Sequence, residues 1–248
     1  MRSTTEILEH YLPLVQDTES KDYIMVHSKR FSFLIDFILK SVDSANGEGL
    51  NVMDIGPSFF TDVLSRNLSK AEIHTLGFSH PESRGGHFPE FIKIDTSKFY
   101  QFDLNKTDQK SEWISPPKMD VVIMGEVLEH LHTSPVHVLS FIRSFLKPGG
   151  LLILGTPNAV ALEKRIMMLL GKNPYELIRL NKNNPGHFRE YTVPELRTMG
   201  EEAQMKLTHH ETSNYFSRYT SKGRFFDSIT DVLPQTFRRG INAVYTRD

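Results

Sequence analysis

From Asn51 to Asn158 the sequence alternates between two hydrophobic rhythms. "LNVMDIG" is a short apolar strand, "FFTDVLSRNLSK" a helix, and "EIHTLGF" a second strand. "KFYQFDL" can supply a third, with "FIKID" competing for that place, and "MDVVIMG" is a fourth. "SPVHVLSFIRSFL" reads as a helix with Ser134 as N-cap and Pro135 at the first helical position, where a missing N–H costs nothing. "KPGG" then turns the chain into "LLILGTPN", a fifth strand. Strands that are apolar throughout and alternate with helices require a mostly parallel, doubly wound sheet covered on both faces. The fold class is therefore α/β.

The flanks attach to that frame. Residues 1–50 read as helical, with Phe31, Leu34, Ile38 and Val42 at helical spacing before the turn residues "SANGEG". After Asn158 the alternation loosens. "AVALEKRIMMLLG" places Leu162, Ile166, Leu169 and Leu170 on one helix face, and Gly171 closes it. The run "IMMLL" is expected in the core, with contact to a membrane or an apolar chain as the alternative. Thr192 and Glu195 have capping-box spacing before "VPELRTMGEEA". "MKLTHHETSNY" and "GINAVYTRD" supply two final strands, with an antiparallel pair expected at the edge. The expected organisation is one domain: helical segment 1–50, ligand-binding core 51–157, helical lid 158–191 and closing elements 192–248.

Composition narrows the chemistry. The 248 residues include no cysteine, which removes disulfides, thiolate catalysis and sulfur-ligated zinc. Net charge is −1, so no global field recruits nucleic acid or an anionic membrane. No run approaches the ~20 apolar residues of a membrane span, and "MRSTTEILEHYLPLVQ" has no apolar signal core. A cytoplasmic protein is expected.

In an open α/β sheet, ligands sit beyond the carboxyl ends of the strands where strand order switches. The first strand ends "VMDIGPSFF", with Asp54 closing it and Gly56 permitting a tight turn. Alone, this is only a good turn. In order, however, "VMDIGPSFFTDVL", "FDLN", "DVVIMGEVLEHL", "LKPGGLLILGTPN" and "GHFREYTVPEL" resemble the class I S-adenosylmethionine-dependent methyltransferases, over about residues 51–203. Within them the chain looks most like O-methyltransferases related to the ubiquinone-pathway enzyme and to those acting on glycans or small metabolites.

The resemblance implies a Rossmann-like fold and S-adenosylmethionine as cofactor. It puts Asp54, Gly56 and Ser58 in the loop around the methionine moiety, and Asp103 and Leu104 beside the adenine. Met124 and Gly125 fall on the adenine's other side. Two departures stand out. Ser58 and Phe60 replace the loop's second and third glycines, implying a less open turn, and Ser79 stands where the family carries an acid for the ribose hydroxyls, with Glu82 as a substitute.

"GEVLEH" follows the fourth strand. If helical, Glu126, Glu129 and His130 share one face. Two carboxylates there would otherwise mean only acids at the positive end of a helix. Beside a methyl donor they suit general-base work by His130 or a site for Mg²⁺ or Mn²⁺. The resemblance extends here: ubiquinone-pathway enzymes and small-RNA 3′-terminal 2′-O-methyltransferases carry an "ExxEH" turn holding a divalent ion. The RNA enzymes add a later histidine, whose nearest equivalent is His187. The expected catalytic residues are therefore His130, Glu129 and His187, and the expected metal ligands are Glu126, Glu129, His130 and His187.

In the lid, Lys164, Arg165, Lys172, Arg179, Lys182 and Arg189 outnumber Glu163, Glu176 and Glu190. Such a mixture suits an anionic substrate or merely a solvated face. Arg189 and Tyr191 are expected either as substrate-binding residues or as a loop packed on the sheet. The leading expectation is an O-methyltransferase for a small molecule, glycan or lipid-linked precursor. Its rivals are an RNA 2′-O-methyltransferase, a non-catalytic cofactor-binding relative and an NAD enzyme. Nucleic acid is not the expected partner, because no basic stripe with interleaved aromatics is present, and the NAD reading lacks the dinucleotide fingerprint.

Overall fold

The computed structural model describes residues 1–42, 46–78, 95–181, 185–215 and 221–248. Helices α1 (Thr4–Tyr11) and α2 (Thr18–Ser41) precede β1 (Asn51–Ile55), α3 (Phe59–Asn67), β2 (Glu72–Gly77) and β3 (Phe99–Gln101). Then come β4 (Met119–Gly125), α4 (Pro135–Phe145), β5 (Leu146–Pro157) and α5 (Leu162–Leu169). The chain continues with α6 (Val193–Glu202), β6 (Met205–Ser213), α7 (Ser221–Val232) and β7 (Gly240–Arg247). One seven-stranded sheet results, in the order β3-β2-β1-β4-β5-β7-β6. Its pairings are parallel except those of β7, which runs antiparallel to both β5 and β6. The doubly wound α/β fold is thus as expected. "KFYQFDL" carries the third strand; "FIKID" lies almost wholly outside the described residues.

Alternate residues of the central strands feed two cores, as the two-residue period of a strand demands. Val52, Val121, Ile123, Ile153 and Val244 face α1, α2 and α3, while Met53, Val122, Met124, Leu152 and Tyr245 face α4 and α6. Phe31, Leu34, Ile38 and Val42 are buried, as their spacing predicts. Phe60 is buried in the α2–α3 core, its ring 5.7 Å from that of Phe31. This departure from the glycine pattern thus supplies a core side chain.

The lid departs from its expected packing. No residue of α5 is buried, and Ile166, Met168, Leu169 and Leu170 are exposed, Leu169 at 86%. "IMMLL" is therefore not core. The segment is instead held at its base. Asn158 and Tyr191 form an isolated parallel bridge, and Tyr175 Oη donates to the Ala159 carbonyl at 2.8 Å. At the exit, Thr192 and Glu195 close the expected capping box on α6, with Thr192 N donating to Glu195 Oε2 at 2.9 Å. No helix among the described residues is long and apolar enough to cross a membrane.

Candidate active site

Strand order reverses between β1 and β4, and the crevice at their carboxyl ends is where such sheets bind ligands. The loop after β1 is built around Gly56, at φ +79°, whose N–H donates to the Leu76 carbonyl at 2.9 Å. Asp54 is buried and accepts from Thr61 Oγ1 at 2.7 Å. That same hydroxyl oxygen accepts from the Ser58 N–H at 2.9 Å. Ser58 caps α3, accepting from Phe60 N at 3.2 Å. Asp54 therefore braces the loop through Thr61, and burial pushes its carboxyl up to about 7.

The adjoining strand ends complete this rim. Asp103 Oδ1 accepts from the backbone N–H of Asn105 at 3.0 Å, and Asn105 Oδ1 accepts from His132 N at 2.8 Å. These bonds tie the end of β3 to the loop after β4. Leu104 and Met124 are buried in the apolar core below. Gly125 is covered by α2: a Cβ there would sit 3.1 Å from Leu34 Cδ2. Ser79 and Glu82, expected near the ribose, lie outside the described residues.

"GEVLEH" does not begin an α-helix. Glu126 takes φ +57°, Leu128–His130 form a single 3-10 turn, and α4 starts only at Pro135. The pattern of acids at a helix N-terminus therefore does not explain these carboxylates. Positive φ is uncommon for a residue with a side chain, and such residues concentrate at functional sites. The consequence is that Glu126 and Glu129 take different partners. Glu126 Oε1 accepts from Tyr215 Oη at 3.1 Å, whereas Glu129 Oε2 accepts from Thr156 Oγ1 at 3.1 Å. Glu129 is fully buried, and its Oε1 has no hydrogen-bond partner among the described residues.

That open oxygen faces two histidines. Glu129, His130 and His187 bring one potential ligand atom each to within 4.8 Å of one another, and the two imidazoles meet edge to face at 4.7 Å. His130 Nδ1 lies 3.0 Å from the Gly186 carbonyl, which can only accept, so Nδ1 carries the proton and Nε2 is left as a base or ligand. His187 Nδ1 pairs with Glu190 Oε1 at 3.2 Å, and Glu190 is in turn ion-paired to Lys164. The loop carrying His187 is clamped to the turn by Phe188 N, which donates to the Glu129 carbonyl at 2.8 Å. Sequence spacing alone could not place His187 here; the lid closure does.

Burial sets the protonation states. It lowers His130, and it lowers His187 to about 4, with neighbouring His130 adding to the effect. Burial and Glu129 push Glu126 up to about 8, and burial raises Glu129 to about 7. Arg30 of α2 is buried too. Although burial opposes its charge, Tyr23, Glu126, Tyr215 and Glu129 hold its guanidinium charged. Arg30, Tyr215, Thr156 and the Lys164–Glu190 pair are site residues that sequence reading misses, because they come from distant segments without a local motif.

Two expected substrate residues stand elsewhere. Arg189 is largely exposed and pairs with Glu195, and Tyr191 is buried in the apolar core. Both follow the packed-loop alternative. The lid cations are also less available than their number suggests. Arg179 pairs with Glu176 at 2.8 Å, and Arg165 lies over the Phe237 ring at 4.5 Å.

A pH dependence follows from these shifts. Asp54, Glu126 and Glu129 have raised folded-state pKa values, so the native protein holds protons that the unfolded chain releases. The stability they contribute is complete below about pH 4 and is lost as pH rises through about 7 to 8. The lowered histidines act oppositely, and their contribution is lost as pH falls below about 6.5. Ligand-free protein should therefore melt highest near pH 6 and about 5 °C lower at pH 8.5, in a calorimetric pH series. Glu126→Gln should flatten the alkaline decline; an unchanged decline would show that Glu126 is already ionised in the folded state, its pKa not raised by folding.

Comparison with known proteins identifies the domain and its fold. The methyltransferase domain family matches residues 26–210. No curated protein matches the sequence. Among solved structures, an S-adenosylmethionine-dependent methyltransferase from Archaeoglobus fulgidus is 15% identical, with 87% of this chain and 94% of that one covered and a TM-score of 0.52. The magnesium protoporphyrin IX methyltransferase of Synechocystis PCC 6803, with bound SAH, is 13% identical over 94% of this chain and 89% of its own, at 0.53. A Haloferax volcanii complex of the Trm112 methyltransferase activator with a methyltransferase gives 15%, 94%, 98% and 0.55. At these identities the likeness is one of fold.

Proposed function

This chain belongs to the methyltransferase domain family, whose members use S-adenosylmethionine, and from that premise we propose that it is an O-methyltransferase assisted by a divalent cation. The acceptor is a hydroxyl of a small metabolite, glycan or lipid-linked precursor. The observation that carries the reading is the convergence of Glu129, His130 and His187 at the carboxyl edge of the sheet, beside the loop of Gly56.

The residues fit the cofactor. Gly56 permits the tight turn at φ +79° against Val127, and Asp54 with Ser58 holds the loop that would enclose the methionine moiety. Asp103 and Leu104 on one side and Met124 and Gly125 on the other would bound the adenine. Bound there, S-adenosylmethionine supplies an electrophilic methyl group. The chain itself supplies a base and an orientation. Without a bound cation, His130 is neutral near pH 7 and has Nε2 available to take the acceptor's proton; with a cation bound, that Nε2 would be a ligand and the cation would acidify the hydroxyl instead. Glu129, raised to about 7 and with Oε1 3.9 Å from that Nε2, is the carboxylate able to receive the proton.

A cation also fits. The open Glu129 Oε1 and the two imidazoles form a donor set without sulfur, and each imidazole has its Nδ1 engaged by an outer partner, as metal-bound histidines do. One carboxylate and two nitrogens favour Mn²⁺ over Mg²⁺, which prefers an all-oxygen shell. Such an ion would orient the acceptor oxygen and ease its deprotonation. Glu126, turned toward Tyr215, stands next to this set rather than in it.

Calorimetric titration tests the cofactor first: S-adenosylmethionine and S-adenosylhomocysteine should bind, and NAD should not. In parallel, a generic single-stranded RNA should bind weakly and lose affinity steeply with salt, without preference for a 3′ end. Tight, 3′-selective RNA binding at physiological salt would replace the small-molecule reading with a nucleic-acid one.

A further inference from the structure

A cavity of about 230 Å³ opens beside the carboxylate–imidazole cluster, lined by Pro157, Ala161, Glu163, Lys164, His187, Glu190 and Arg239. His187 belongs both to its wall and to the cluster, so a molecule seated in the cavity presents its near edge to the proposed base and cation. We infer that this is the acceptor pocket and that it selects an uncharged, polyhydroxylated group of about one sugar ring. This inference rests on the O-methyltransferase reading and names its substrate class.

Size is the first argument. Sites for drug-sized ligands enclose about 300–1,000 Å³, and this cavity is smaller than that. Charge points the same way. The walls carry two cations, and each is already matched. Lys164 Nζ pairs with Glu190 and donates to the Asn158 carbonyl at 3.0 Å. Arg239 reaches Asp227 at 2.6 Å and Glu163 at 3.2 Å, and it is 7% exposed. An incoming phosphate or carboxylate would have to displace these partners while facing Glu163 and Glu190 across one small space. Uncompensated charge in such a place is costly. The charge census of the lid suggests an anionic substrate; the pairing within the pocket opposes it.

The apolar alternative fails on composition. Five of the seven lining residues carry ionisable groups, so an isoprenoid or an unsubstituted aromatic ring would cover those groups without returning hydrogen bonds. A polyol does return them. Each hydroxyl donates one hydrogen bond and accepts others, so neighbouring hydroxyls can donate to Glu163 or Glu190 while accepting from Lys164 or Arg239. Bonds of this kind to ionised groups are the strong class. They leave the ion pairs in place, since every carboxylate and ammonium has capacity beyond one partner. A site of this type rejects analogues that lack a hydroxyl far more strongly than an apolar slot rejects a missing methylene.

Saturation-transfer NMR on the protein with S-adenosylhomocysteine bound tests the inference. The panel contains methyl glycosides of glucose, mannose, galactose and rhamnose, the matching sugar 6-phosphates where they exist, serine, and catechol. Transfer is expected to at least one methyl glycoside and to none of the phosphates, serine or catechol. Ala161→Phe, which fills the cavity, should abolish that signal and leave the affinity for S-adenosylhomocysteine within about twofold. Glu163→Gln, which removes one wall charge, should weaken the glycoside by at least about tenfold, the cost of losing a charged hydrogen bond. Transfer to a phosphate, serine or catechol instead, a silent panel with S-adenosylhomocysteine bound, or a glycoside signal that survives Ala161→Phe would each overturn the inference. Failure of the O-methyltransferase reading would look different: methyl label from S-adenosylmethionine recovered on nitrogen or carbon of an acceptor.

Discussion

Gly56→Val is expected to eliminate measurable binding of S-adenosylmethionine and S-adenosylhomocysteine, a loss of at least about 100-fold in calorimetric affinity. Two independent effects combine. The residue sits at φ +79°, a conformation that a β-branched side chain adopts only under strain. A Cβ there would also lie 2.9 Å from Val127 Cγ2. Since Val127 precedes the turn of Glu129 and His130, relief of the clash must move either the loop after β1 or that turn itself. The fold should survive, because Gly56 lies at the rim of the sheet beyond β1, so circular dichroism of the variant should be unchanged. A folded Gly56→Val protein that binds both sulfur compounds normally would remove this loop from the cofactor site.

Glu129→Ala and His130→Ala are each expected to abolish binding of Mn²⁺, read by calorimetry or by the electron paramagnetic resonance of the free ion, with little change in cofactor affinity. Removing a direct ligand should cost more than the roughly 10–100-fold typical of an outer partner. Glu190→Gln, which keeps the size of the side chain that orients His187, should fall within that outer-partner range. Once an acceptor is known, activity should be lost in EDTA and restored by Mn²⁺ in the parent protein but in neither alanine variant. Full activity in EDTA together with no Mn²⁺ binding would remove the cation and leave His130 as the base. Full activity in His130→Ala as well would return the turn to a purely structural part.

The sheet was legible because its strands are apolar on both faces, so that Val52, Met53, Val121 and Val122 announce burial without any need for partners. The capping box of Thr192 and Glu195 was legible for a similar reason: its chemistry is local. The turn at Glu126 was readable as a candidate site but not in its geometry. "ExxEH" has helical spacing, yet Gly125 and the positive φ of Glu126 divert the chain into a single 3-10 turn. What stayed hidden is what the tertiary structure brings from afar. Arg30 lies in a helix that precedes the sheet, and Tyr215 reaches Glu126 from the far side of β6. The lid misled in the other direction, since an apolar run with helical periodicity reads as core whether or not anything covers it. Leu169 and Leu170 stand in the open while Tyr175 and Asn158 hold the segment down.

The place of β7 has a consequence for how the chain is assembled. It follows β6 in sequence yet lies between β6 and β5, bonded to both. As the chain leaves the ribosome at roughly 5–20 residues per second, β6 emerges with no neighbour to pair with. The growing half-sheet from β3 to β5 meanwhile shows the unpaired backbone N–H and C=O groups of β5 at Ile153 and Leu154. Exposed edges of that kind are the ones that recruit other chains. Only the arrival of Ile241 to Tyr245 closes the gap, joining two pieces that are each incomplete until then. The sheet is thus sealed one strand from its edge by a late segment, and the interval before that event is when a newborn chain is most exposed to aggregation and to the quality-control machinery of the cell.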